Sequence, residues 1–196
     1  MPPSVAAIAD RYVEELCALE PITATYLGIT GHDDELGDLS PAGLAASEGL
    51  VRRTLADLAA VVPADDRERT AQAVMRERLG LDLERHEAGL PYGDLNVLAS
   101  APQAVRMIFD LMPTGTEEER ANVRARMEGL PRALAGLADT YREGVRRRVL
   151  PARRQVIEVA AQCRRWAGLE GDPGFFSPYA GSVPGGDDIS APAAAA

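Results

Sequence analysis

Apolar residues recur at three- and four-residue steps along most of this chain. Val5, Ile8, Tyr12, Leu16 and Leu19 share one side of a helix over residues 5–19, and Asp10, Arg11, Glu14 and Glu15 fall largely on the other. Ser4 is placed to cap it. From Pro41 to about Val61 the stripe is Leu44, Ser47, Val51, Leu55 and Leu58, and Pro63 stops it. From about Ala64 to Ala88 it is Ala71, Met75, Leu79, Leu83 and His86, ended by Gly89 and Pro91. The spacing predicts a shorter helix from Ala101 to Met112, grouping Val105, Ile108, Phe109 and Met112 ahead of Pro113.

Between these helices, Pro91 to Ser100 loses the helical period and reads as an irregular crossing that could bury Leu95, Val97 and Leu98. Thr116 with Glu119 forms a capping box for a helix from about Glu117 to Leu130. Pro131 then divides it from a sixth helix carrying Leu134, Leu137, Tyr141 and Val145. Leu150-Pro151 opens a seventh with Val156, Val159, Cys163 and Trp166, closed by Gly168. These elements predict an all-α fold, an antiparallel bundle of about six to seven helices over residues 1–168. Residues 169–196, rich in Gly, Pro, Asp and Ala, read as a docked turn on Phe175, Phe176 and Tyr179 followed by a disordered, flexible tail.

Composition supports that class and narrows the partners. With 196 residues, 46% of them hydrophobic and only 5% aromatic, the chain can bury one core of aliphatic helix-formers. The net charge of −9 and pI near 4.8 argue against binding nucleic acid or an anionic membrane. Residues 1–66 hold 12 acidic and 3 basic residues, which accounts for the whole excess. No basic leader and no apolar run of about 20 residues is visible, so the expected location is cytoplasmic. Cys17 and Cys163 sit on apolar stripes and read as buried free thiols rather than a disulfide or metal pair.

The densest signal lies between Pro21 and Pro41. Pro21-Ile22-Thr23-Ala24-Thr25-Tyr26-Leu27-Gly28 reads as a short helical turn opened by proline and closed by glycine. Gly28 to Leu39 then holds six polar or charged residues and three glycines, a surface loop, and Ser40-Pro41 starts the next helix. This ordered set resembles the bacterial family catalogued as "domain of unknown function 885", with its Pro-x-x-Ala-Thr-x-Leu-Gly turn, acidic loop and Asp-x-Ser-Pro helix start. The likeness continues through Asn96-Val97-Leu98, Met112-Pro113, Thr116-Glu117-Glu118, Leu130-Pro131-Arg132-Ala133-Leu134 and Pro151-Ala152-Arg153-Arg154-Gln155-Val156, and covers roughly residues 5–165.

The resemblance implies a relation to helical zinc peptidases, because full-length members carry His-Glu-x-x-Pro-Gly-His and Glu-Gly-Trp-Ala motifs. Neither motif occurs here. In Glu84-Arg85-His86-Glu87-Ala88-Gly89 the place of the second zincin histidine is taken by Leu90. No catalytic, cofactor-binding or metal residue is therefore carried over, and zinc is expected only in full-length relatives. The expected role is that of an N-terminal helical scaffold and groove wall, inactive alone. The alternative is a stand-alone interaction module without activity. Either would leave an apolar helix face for self-association or for a C-terminal half.

Three further clusters invite a site reading. His32-Asp33-Asp34-Glu35 with Asp38 lacks the alternating acids, central Gly and distant Glu of a calcium loop, and reads as a solvated turn presenting Ser40. Arg142, Arg146, Arg147, Arg148, Arg153, Arg154, Arg164 and Arg165 form the one basic patch. It reads first as a solvated helix surface, since every basic residue in this chain is Arg. Next comes a dock for the acidic N-terminal third, and last an anion site. His86 has no neighbouring nucleophile motif and reads as a helix-end residue.

Overall fold

Ser4 Oγ accepts from the Ala7 amide at 3.1 Å and opens α1 (Val5–Leu19), as its sequence requires. The computed structural model describes residues 4–185, 189 and 192–193. Glu20 breaks the helix, with φ −126° and ψ 71°, because Pro21 cannot extend it, and α2 (Pro21–Leu27) starts at once. The acidic loop follows. Ser40 Oγ then caps α3 (Pro41–Ala60), and Asp65 caps α4 (Asp66–Glu87) by accepting from the Glu68 amide at 2.8 Å.

A 3₁₀ turn (Leu90–Gly93) leads through an irregular crossing to α5 (Ala101–Leu111), then α6 (Glu117–Arg147), α7 (Arg153–Trp166) and α8 (Phe176–Ser182). The described residues are all-α, with no strand among them. The capping boxes at Thr116/Glu119 and at Ser100/Gln103 are both formed.

Two apolar clusters hold these elements together. Val5, Ile8, Val51, Leu58 and Leu79 join α1, α3 and α4. The larger one gathers Ile108 and Phe109 of α5, Val123, Met127 and Leu130 of α6, and Phe176 and Ala180 of α8. Phe109 meets Phe176 and Tyr179 edge-on, with ring centroids 5.9 and 5.7 Å away, so α8 is docked by aromatic contacts.

Several expectations change. Pro131 does not divide α6, which runs for 31 residues through it. Proline forfeits one intrahelical bond at a cost of about 3 kcal/mol. Met127, Leu130, Ala133 and Leu137 are buried on both sides of that point, and their packing holds the axis. In the crossing, Leu98 is 81% exposed, and Tyr92 and Ser100 are the buried residues. Cys17 is buried, whereas Cys163 is exposed. The tail expected after Tyr179 lies partly outside the described residues. Of its described residues, Val183, Ile189 and Ala193 are buried against the larger cluster.

Candidate functional site

The break at Glu20 puts a carboxylate at the meeting point of two adjoining cavities. One, of about 280 Å³, has apolar walls that include Leu19, Ile22, Leu39, Leu44 and Leu137. The other, of about 480 Å³, lies toward the end of α4 and is lined by Tyr12, Leu50, Asp82, Arg85 and His86 among others. Glu20, Ser47, Pro91 and Asp94 line both, so the two adjoin as a crevice bounded by α1, α2, α3, α4, α5, α6 and the 3₁₀ turn. Gly43 lets the start of α3 close against the loop: a Cβ there would lie 1.8 Å from the Asp38 carbonyl oxygen.

Inside the crevice, Glu20 is half-buried and accepts from Thr23 Oγ1 at 3.0 Å and from Ser47 Oγ at 3.2 Å. Among the described residues no ion pair reaches Glu20, Asp38, Asp82 or Asp94. Arg52 and Arg53, on the same helix as Ser47, pair instead with Glu48, Glu87 and Glu15. Burial pushes the Tyr12 phenol above its ordinary value, and the Glu20 and Asp82 charges add to this. Tyr141 donates to the Asp94 carbonyl at 3.3 Å and is likewise raised, by burial first and then by Asp94 and Cys163. This chemistry suits binding. No histidine side chain among the described residues hydrogen-bonds a Ser, Thr or Cys side chain as a nucleophile–base pair would require.

Beside this crevice, whose wall includes Leu36, Asp38 and Leu39, the acidic loop is tied down by a buried arginine. Arg126 is fully buried; its Nε donates to the Glu35 carbonyl at 2.9 Å, and Nη2 donates to Thr25 Oγ1 at 2.7 Å and the His32 carbonyl at 3.0 Å. Burial lowers its pKa, while Asp33 and Asp34 work the other way. The turn is thus more than solvated: its backbone is read by a guanidinium 90 residues away in sequence, and Leu36 is buried. Sequence reasoning missed Arg126. The available signal was its position among Val123, Met127 and Leu130, where an arginine interrupts an apolar stripe.

The basic patch resolves into local pairs. Arg142 meets Asp139, Arg146 and Arg147 share Glu143, and Arg164 and Arg165 meet Glu170. Arg147 also lies 4.0 Å over the Tyr92 ring. No ion pair among the described residues links the patch to residues 4–66. His86 lines the 480 Å³ cavity, and His32 lends its carbonyl to Arg126. Among the described residues no group of three or more His, Cys, Asp or Glu side chains could hold a metal ion, so the zinc implied for full-length members finds no ligand set there. No helix of the described residues is long and apolar enough to cross a membrane.

The family model described as "Bacterial protein of unknown function (DUF885)" matches residues 21–196. No curated protein matches the chain. The matched span begins at Pro21, the first residue of the turn whose carbonyls and hydroxyl face Arg126.

Proposed function

Because the chain belongs to the bacterial family of unknown function DUF885, we propose that it serves as the N-terminal helical scaffold of a peptidase-like hydrolase and forms one wall of its substrate groove. The observation that carries this reading is the crevice at Glu20: seven elements converge on two adjoining cavities, one of them with apolar walls, and a carboxylate lies at their junction. On this reading the catalytic groups lie outside these 196 residues, and the chain alone is inactive. It works in the cytoplasm, in keeping with two thiols that form no disulfide.

Comparing peptide hydrolysis by the 196-residue chain with that of the full gene product tests this. The chain alone should be inert, and any longer product should lose activity to a chelator. Turnover by the isolated chain, or zinc bound to it after purification, contradicts the reading.

A second reading makes the chain an interaction module that binds a partner, or a second copy, without turnover. It draws on the apolar side chains exposed around α7: Val145, Leu150, Val156, Ile157 and Leu169 are each more than 40% exposed. A native product ending near Ala196 that captures a partner and hydrolyses nothing would favour it.

A further inference from the structure

We propose that the Glu20 crevice binds an organic ammonium ion bearing a short branched hydrocarbon group, as the free amino end of a peptide beginning with an aliphatic residue would present. The hydrocarbon fills the 280 Å³ cavity between Leu19, Ile22, Leu39, Leu44 and Leu137, and the ammonium sits at the junction, on Glu20. The assignment rests on the crevice being a ligand-receiving wall, not on any catalytic chemistry elsewhere.

Three features point to this chemistry. Glu20 accepts two bonds from neutral hydroxyls, which leaves further lone-pair sites on a carboxylate that can accept about four. A half-buried carboxylate served only by neutral donors favours a cation, whose bonds to it are about twice as strong.

The charge of the crevice has the same sign. Asp38, Asp82 and Asp94, all exposed, line it with Glu20 and are free of ion pairs among the described residues, against Arg85 and His86. Arg132 acts on Asp38 from a distance, and among the described residues no arginine forms an ion pair with any of the four.

Finally, Tyr12 and Tyr141 form part of the same walls, and aromatic faces are favourable neighbours for an organic cation. An anionic ligand would face the Glu20 carboxylate at the junction. A bare metal ion finds apolar walls and no three-ligand group.

Calorimetric and NMR titration of the 196-residue chain tests the proposal with four probes: L-leucinamide, 3-methylbutylamine, N-acetyl-L-leucinamide and 3-methylbutanoate. The two ammonium probes should bind and shift resonances of Tyr12, Ser47 and Thr140, while the neutral and anionic probes should not. L-leucinamide binding more tightly than the alkylamine assigns a peptide amino end as the source. Equal affinities support the shared ammonium chemistry and assign simple amines.

Glu20→Gln should weaken ammonium binding by about tenfold. Because Glu20 joins two helices, Asp94→Asn on the exposed rim provides an independent arm, with an expected loss of about threefold and an unchanged circular dichroism spectrum. The proposal is overturned if neither amine binds, if the acetylated or anionic probe binds equally well, or if both variants, folded, retain wild-type affinity. None of these readouts involves turnover, so the hydrolase reading can fail while this one stands, and the reverse.

Discussion

Arg126 Nη2 donates to Thr25 Oγ1 at 2.7 Å, joining α6 to α2 across 101 residues of chain. No carboxylate is needed at this contact. The guanidinium takes its partners from the carbonyls of His32 and Glu35 and from one hydroxyl, so a charged side chain is buried as the organiser of an irregular loop.

Arg126→Met should therefore cost more than loss of a surface pair, because the part-buried carbonyl contacts of His32 and Glu35 would lose their donor. We expect a loss of about 2–4 kcal/mol in urea unfolding, with faster amide exchange through residues 31–36. Arg126→Lys should recover only part of it, since one ammonium cannot span the positions that the planar fork reaches. Unchanged stability in both variants would remove Arg126 from this role.

The close approach at Gly43 makes a second expectation. Gly43→Ala would set its Cβ 1.8 Å from the Asp38 carbonyl and push the loop off the start of α3. A loss of about 1–3 kcal/mol is expected on thermal unfolding, together with loss of amine binding as the crevice wall shifts. A wild-type melting temperature would show that the loop yields freely.

Arg148 ends α6 in the left-handed region, with φ 61°, a conformation that costs a residue with a Cβ about 1–2 kcal/mol. Arg148→Gly should stabilise the protein by about 1 kcal/mol, read as an upward shift in urea midpoint. Destabilisation would mean that the arginine side chain makes a contact outweighing the strain.

Hydrogen bonds from Ser40, through its side chain first and then its amide, hold the Asp38 carboxyl below its ordinary value of 3.8. A lowered folded pKa contributes stability that is present above the unfolded value and is lost as pH falls through the folded one. Asp38→Asn should thus be less stable than wild type at neutral pH, with the difference shrinking below about pH 3. A difference that widened on acidification would reverse the sign of this account.

Thiol titration separates the two cysteines. Cys163 is exposed and Cys17 is 1% exposed, so the native chain should react at one thiol and the denatured chain at two. Burial of part of the Cys163 side chain raises its pKa, so the native reaction should be slow at neutral pH. Two fast native thiols would contradict the packing of α1.

Much of the frame was legible because it is local. Ser4, Ser40 and Thr116 announce the helices they cap, and the apolar stripes of α1 and α5 report the faces they bury. Asp65 follows the expected start near Ala64 yet is itself the cap of α4. Pro131 misled because its local cost is outweighed by packing that only the folded α6 reveals.

Arg126 was hidden because its partners are backbone carbonyls in a loop far away in sequence, and in a chain whose cations are all arginine another one attracts no notice. The crevice was illegible for a related reason. Glu20 is merely a helix break in one dimension, and it meets Ser47, Pro91 and Asp94 only after three separate segments fold together.

The most direct test of a binding wall without catalytic equipment is one NMR titration of the isotope-labelled 196-residue chain with a short peptide that begins with leucine. Saturable shifts around Tyr12, Ser47 and Thr140, with the peptide's own resonances intact after days, are the predicted result. Cleavage of the peptide by this chain, or no shift in the crevice at all, would contradict it.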